Sequence, residues 1–215
     1  MSTNIIAITN RKGGVGKTSL AVNLAAGLAA NHGINCTLVD GDPLGSTSLW
    51  IENAPIKGLK VRRLTLPVAS GNLHHALYTW GAAISNMALD CDVVITDLPP
   101  IDIFVFSELI RQVETVLVPV GLSTLEWEAT FPLIERVISA TKDEKNTKGI
   151  IIPSRIHPKK NLPRDKIAEV LPPQWKLGPQ LSFRSDFAKA AEARNWIGAT
   201  SPGSPAHAEM NEVIK

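Results

Sequence analysis

The sequence predicts an α/β fold: a doubly wound, mostly parallel sheet with helices on both faces. Three observations predict it. Short apolar runs at 5–8, 36–39, 92–97, 115–120 and 148–153 have the length and near-continuous hydrophobicity of strands buried on both faces. The longer segments between several of them carry helical spacing. A glycine-rich stretch, Gly13-Gly14-Val15-Gly16, separates the first apolar run from the first helix-patterned run. Such sheets bind ligands beyond the carboxyl ends of their strands, where this stretch falls.

Taken in order, the first strand leads into Arg11-Lys12-Gly13-Gly14-Val15-Gly16-Lys17-Thr18. Strand, glycine-rich turn and helix start together make a phosphate-binding loop. The glycines let successive N–H groups curl around an anion, and the positive end of the next helix adds to the attraction. Lys17 would reach the β- and γ-phosphates and the Thr18 hydroxyl would sit on Mg²⁺, while the backbone from Gly13 to Ser19 cradles the nucleotide. The segment 19–31 reads as an amphipathic helix with Leu20, Leu24 and Leu28 facing the sheet, and Gly33 ends it. The strand 36–39 then delivers Asp40-Gly41-Asp42-Pro43 beside the loop. Two carboxylates so close need a cation or a shared proton, and Mg²⁺ supplies the former.

The stretch 45–54 reads as a polar loop or short helix, with Trp50 a packing residue. The segment 59–66 reads as a strand interrupted by Lys60, Arg62 and Arg63, and 72–89 as a helix interrupted by Gly81. His74 and His75 have no third ligand at helical spacing and read as surface or cap residues. The apolar strand 92–97 ends in Asp97, a carboxylate placed to hold Mg²⁺ through water. Pro99 and Pro100 then turn the chain out of the sheet, since neither can donate to a ladder. A helix at about 125–140 follows the strand 115–120, and another at 161–171 is stopped by Pro172-Pro173. The rest reads as a strand at 176–183, a loop at 195–204 and a terminal helix at 205–215 that docks through Ala206, Met210, Val213 and Ile214.

At 215 residues, 44% of them apolar and 20% charged, a single domain spanning 1–215 is expected. No run reaches the ~18 apolar residues of a membrane span, and the start lacks a basic-then-apolar leader. The terminal helix also lacks the basic face of a membrane-surface helix. A cytoplasmic protein with no membrane partner is therefore expected. Cys36 and Cys91 stand far apart with no Cys-x-x-Cys, so cluster or metal ligation is unsupported and Cys36 reads as a small buried hydrophobe. The net charge of +2 hides an asymmetry: residues 1–141 carry 9 Lys+Arg against 12 Asp+Glu, whereas 142–194 carry 12 against 6. A basic half of this kind is either a polyanion footprint or a solvated face.

The run Lys12-Gly13-Gly14-Val15-Gly16-Lys17-Thr18 resembles the deviant Walker A box of the ParA/MinD family of P-loop ATPases. The resemblance extends over nearly the whole chain. It implies that Lys12 reaches the partner subunit's γ-phosphate in an ATP-bound sandwich homodimer. Asp40 would lie near the metal's water shell, Asp42 would position or activate the attacking water, and Asp97 would be the Walker B carboxylate. Ser154 and Arg155 stand at a strand end where relatives carry Asn-Arg or a similar pair contacting adenine. Arg184 matches an arginine that touches the DNA backbone without sequence preference, and Lys159, Lys160, Lys189 and Arg194 could extend that surface. The chain lacks cluster cysteines and a membrane-binding tail, and so resembles the small ParA-type partition or positioning ATPases. Its start at the first strand predicts no N-terminal helix-turn-helix domain. The resemblance implies weak ATP hydrolysis, association with nucleoid DNA and stimulation by a ParB-like or adaptor partner. The partner would ride on a plasmid, a chromosome region or a protein assembly such as a carboxysome. The alternative is an ATP-dependent small-molecule ligase or synthetase of the same fold, with no DNA role.

Overall fold

Alternating side chains along the central strands explain the layering. Leu38, Ile95, Leu117 and Ile152 point into one hydrophobic core, while their neighbours Val39, Val94, Val116, Val118 and Ile151 point into the other. The computed structural model describes residues 4–51, 54–67, 71–100, 112–121, 147–159, 164–169 and 175–215, with positions 105, 109, 130, 132, 135, 171 and 173. Most of the expected helix at 125–140, the start of the helix expected at 161–171, and Lys160 lie outside the described residues.

The chain runs through β1 (Asn4–Ile8), α1 (Lys17–His32), β2 (Cys36–Asp40), α2 (Ser46–Ile51), β3 (Leu59–Arg63) and α3 (Leu73–Met87). A 3-10 turn at Ala88–Asp90 leads to β4 (Val93–Asp97), β5 (Thr115–Val120) and β6 (Lys148–Ile156). There follow α4 (Arg164–Glu169), β7 (Trp175–Leu177), β8 (Leu181–Ser182), α5 (Ser185–Glu192), α6 (Ile197–Thr200) and α7 (Pro205–Ile214). The spatial order is β3-β2-β4-β1-β5-β6-β7, with β8 also on β6, and every pairing is parallel. The doubly wound fold is thus as expected. Strand order turns about β1, which places the loop after β1 at the switch point where such sheets bind ligands. Register puts Asp97 opposite Ile8 on one side and opposite Asp40 on the other. Both carboxylates therefore sit at neighbouring strand tips beside the glycine-rich loop.

Helix α1 is not one-sided as its leucine spacing suggests. Val22, Ala26 and Gly27 are buried along with Leu20 and Leu24, because α7 and Trp196 cover the side turned from the sheet. A Cβ on Gly27 would run into the Ile214 side chain, so glycine sets the closeness of α1 and α7. Gly33 ends α1 in the left-handed region at φ 67°, its N–H returning to the Ala29 carbonyl. Helix α7 starts at Ser204, whose hydroxyl accepts from the His207 N–H, and buries Ala206, Met210 and Ile214.

Four boundaries depart from the sequence reading. Helix α3 continues through Gly81, which is buried against the Gln112 side chain, where any Cβ would collide. β3 ends at Arg63, after which the Leu64 and Leu66 N–H groups bond the carbonyls of Asp40 and Gly41. The single strand expected at 176–183 is two, β7 and β8, parted at Gly178-Pro179, since proline has no N–H to give the ladder. The loop expected at 195–204 contains α6, whose first N–H bonds the buried Asn23 side chain at 2.8 Å. As expected, His74 and His75 are exposed, Cys36 is buried, and Trp50 packs, its indole N–H donating to the Asn195 carbonyl. Burial pushes the Cys36 thiol up to about 12, which suits a packing residue.

Candidate nucleotide-binding site

Two left-handed residues shape the turn after β1, Gly14 at φ 71° and Gly16 at φ 97°. Only glycine takes these conformations at little cost. Gly16 is also the residue before α1, and it offers no side-chain cap, so the first N–H groups of the helix stay available to an anion. The loop is held from outside. Asn10 accepts from the Lys12 N–H at 2.9 Å while its amide donates to the Pro119 carbonyl of β5 at 2.8 Å and to the Thr130 hydroxyl at 3.4 Å. The Arg155 guanidinium donates to the Gly14 carbonyl at 2.7 Å. Lys17 is buried and its ammonium donates to the Lys12 carbonyl at 3.3 Å. Burial lowers its pKa from the ordinary value, and the charges of Asp97 and Asp42 act against that. A phosphate in the loop would complete the pairing of this cation.

On the carboxylate side, one oxygen of Asp97 accepts two hydroxyls, Thr47 at 2.6 Å and Thr18 at 2.7 Å. Its other oxygen, Oδ1, is buried and has no hydrogen-bond partner among the described residues. Burial pushes the Asp97 carboxyl up to about 6; the Thr47 and Thr18 hydrogen bonds pull it down and the nearby Asp40 charge pushes it further up. Asp40 accepts from the Ser48 N–H at 2.8 Å and the Asp42 N–H at 3.2 Å, while Asp42 accepts from the Leu44 N–H at 2.9 Å. Asp40 is fully buried and Asp42 half-buried, closer to the surface.

These residues fit Mg²⁺. The donors are hard oxygens, and an orphaned carboxylate oxygen lies beside a hydroxyl whose proton is already committed to Asp97. Among the described residues no group of three or more His, Cys, Asp or Glu could hold a metal ion by itself. Thr18 would hold Mg²⁺ directly and Asp97 and Asp40 through water.

Beside the loop lies a cavity of about 400 Å³ lined by Gly16, Ser19, Ser154, Arg155, Phe183 and Phe187 among others. Arg155 has φ 58° and its guanidinium sits 5.8 Å from the Phe183 ring centroid. The Ser154 hydroxyl is buried without a hydrogen-bond partner among the described residues. The cavity is apolar enough for a base and opens next to the phosphate loop.

The fold thus brings together Lys12, Gly13, Gly14, Val15, Gly16, Lys17, Thr18, Ser19, Asp40, Asp42 and Asp97, with Ser154 and Arg155 at the cavity. Four of the five residues expected to meet DNA are described, at two places in the chain: Lys159 after β6, and Arg184, Lys189 and Arg194 in or beside α5. Lys159 is exposed in the turn after β6, Lys189 is exposed on α5, and Arg194 is exposed just after it at φ 50°. Arg184 precedes α5 and is ion-paired with Glu209 at 2.7 Å. Glu209 also accepts from the Ser182 N–H and hydroxyl, at 2.8 and 2.9 Å. Sequence reasoning missed Asn10, Thr47, Phe183 and Glu209. A lone Asn, Thr, Phe or Glu carries no spacing signal of its own.

A model of the CobQ/CobB/MinD/ParA nucleotide binding domain matches residues 6–195. The chain belongs to this family. Over 160 residues it is 29% identical to the maintenance of carboxysome distribution protein A of Halothiobacillus neapolitanus, covering 74% of this chain and 69% of that protein. Over 71 residues it is 51% identical to the chromosome partitioning protein ParA of Caulobacter vibrioides, covering 31% of this chain and 24% of that protein. Its fold matches the septum site-determining protein MinD of Pyrococcus horikoshii, solved with Mg-ADP, at a TM-score of 0.75 and 16% identity over 99% of this chain and 94% of that one. P-loop members of the ParA/MinD family are ATPases that bind nucleotide with magnesium. Among the described residues no helix is long and apolar enough to cross a membrane.

Proposed function

We propose that the chain is a ParA-type ATPase, a single domain that clamps ATP between two copies of itself, binds DNA without sequence preference and positions a cargo. One observation carries this reading. Lys12 is exposed, yet its backbone is fixed on both sides, by Asn10 on its N–H and by the Lys17 ammonium on its carbonyl. A cation so anchored at the rim of the loop is suited to a phosphate held by a second subunit.

Within one subunit, Lys17 and the α1 N–H groups bind the phosphates, and Ser154, Arg155 and the cavity beside them receive the base. Asp42, at the surface end of the carboxylate cluster, orients the attacking water. Thr18 directly, and Asp97 and Asp40 through water, would hold Mg²⁺, which would supply positive charge against the phosphates. Among the described residues Asp42 is the one carboxylate near the loop that is neither fully buried nor paired to a hydroxyl side chain, and with no strong general base beside it turnover without a partner is slow.

The DNA role rests on Arg184 with Lys159, Lys160, Lys189 and Arg194, in the half of the chain where basic residues outnumber acidic ones. It implies a nucleoid-associated, cytoplasmic protein whose ATP hydrolysis is stimulated by a ParB-like or adaptor protein on the cargo. Similarity to a carboxysome distribution protein and to a partitioning ParA supports a cargo that is a protein assembly or a DNA replicon.

Light scattering with ATP and Mg²⁺ tests the reading. The wild type should double in mass and retard random-sequence duplex DNA, with affinity falling steeply in salt. A chain that stays monomeric and ignores DNA under these conditions would reject it in favour of a small-molecule ligase of the same fold.

A further inference from the structure

We infer that Thr47 is a positioning residue for the metal-binding carboxylate: its hydroxyl fixes Asp97 so that Oδ1 alone is presented to Mg²⁺. The inference rests on reading the site as one for Mg²⁺ and a nucleotide, and it assigns a role to a residue that neither the glycine-rich loop nor the Asp40–Asp42 turn contains.

Asp40 and Asp97 are register partners at the tips of adjacent parallel strands. Both are almost fully buried, at 0% and 1% exposure. Two such carboxylates repel, and each requires donors to stay ionised out of water. Helix α2 supplies a donor to each: the Thr47 hydroxyl to Asp97 Oδ2 at 2.6 Å and the Ser48 N–H to Asp40 Oδ2 at 2.8 Å. Thr47 is itself fully buried.

The distribution of donors over the Asp97 oxygens is lopsided. Oδ2 takes both hydroxyls, Thr47 and Thr18, while Oδ1 takes none among the described residues. With Thr18 alone on Oδ2, the carboxylate could turn about χ2 and exchange its two oxygens. The second donor comes from a different element, so that rotation would break two bonds anchored on α1 and α2 at once. Thr18 serves the loop and must also face the cation. Among the described residues the Thr47 hydroxyl bonds Asp97 alone, and it adds a second anchor to the carboxylate while the Thr18 lone pairs face a metal.

Neighbouring hydroxyls do not share the role. Ser46 is exposed, and the buried Ser48 hydroxyl has no hydrogen-bond partner among the described residues. Valine has the shape of threonine without the hydroxyl, so Thr47→Val removes the donor with little loss of volume.

The test is a titration of MgCl₂ into protein with a fluorescent, non-hydrolysable ATP analogue, compared with the same binding in EDTA. In the wild type Mg²⁺ should tighten binding. In Thr47→Val the Mg²⁺ midpoint should rise about tenfold, the scale of one hydrogen bond to a charged group. Thr47→Ser should restore it to within about twofold. Thermal unfolding of each variant separates this from loss of fold, and Thr47→Ala carries the same measurement if the valine variant does not fold. A folded hydroxyl-less variant with an unchanged midpoint overturns the inference, as does a shift that Thr47→Ser fails to reverse. A wild type indifferent to Mg²⁺ would instead overturn the reading of the site, and the inference with it.

Discussion

Arg155 and Gly14 lie 141 positions apart in the chain, yet the guanidinium of one donates to the carbonyl of the other at 2.7 Å. The contact joins the end of β6 to the phosphate loop, and Arg155 makes it from a left-handed backbone at φ 58°. Arg155→Ala should weaken ATP-analogue binding about tenfold by calorimetry, as one charge-assisted hydrogen bond is lost. Arg155→Gly should lose as much affinity but be more stable than the alanine variant by about 1–2 kcal/mol, because glycine tolerates that left-handed backbone. Equal stabilities for the two variants would show that the backbone geometry is not costly.

Asp97 makes the nucleotide-free protein sensitive to pH. Its folded pKa, about 6, lies above the ordinary value of 3.8. The sign follows from linkage: the folded state holds this proton more tightly than the unfolded state, so the contribution is full below about pH 4 and is lost as pH rises through about 6. Urea unfolding of the metal-free protein should show this loss, on the order of 3 kcal/mol. Asp97→Asn should flatten the profile between about pH 4 and 7, and an unchanged slope in that variant would assign the effect to another group.

The nucleotide half of the site was legible because its chemistry is local. Glycines, Lys17 and Thr18 are consecutive, and Asp40, Asp42 and Asp97 each follow an apolar run that must be a strand. Strand and helix types were legible for the same reason, since burial on two faces leaves long apolar runs. Features that depend on distant partners were not. Asn10 matters through Pro119 and Thr130, α6 through Asn23, and the all-round burial of α1 through α7. The break between β7 and β8 was readable in Pro179 and was missed, because the flanking residues look like one strand.

Glu209 gathers three donors, the Ser182 N–H, the Ser182 hydroxyl and the Arg184 guanidinium. Glu209→Ala would take the side-chain acceptor from the Ser182 N–H and hydroxyl, leaving the hydroxyl only its bond from the Gln180 amide, and should cost about 1–3 kcal/mol in chemical denaturation. Arg184→Ala should cost less, since the pair is partly exposed and screened by water. It should also reduce retardation of random-sequence DNA by the ATP form if Arg184 meets the duplex. Undiminished retardation would limit Arg184 to its bond with Glu209.

Lys12 and Asp42 should separate assembly from turnover. Lys12→Ala should bind nucleotide as a monomer but lose the ATP-dependent doubling in mass, as read by light scattering. Asp42→Ala should keep the dimer and lower phosphate release by about 10²-fold or more, the scale of a lost water-orienting base. A Lys12→Ala protein that still dimerises with ATP would remove that residue from the subunit seam.

Gly27, packed beneath Ile214, offers a test of the interior. Gly27→Val should overpack the contact of α1 with α7 and destabilise the protein by about 1–3 kcal/mol. Pairing it with Ile214→Ala, which makes room, should recover part of the loss.

The outermost strands bear on how copies of the chain meet. β3 presents Lys60, Arg62 and Arg63, and β7 at the opposite margin presents Lys176. Laying one such margin along another would set like charges side by side at strand spacing, an arrangement that discourages ribbon-like stacking of sheets. Growth by lateral addition is therefore disfavoured at both margins.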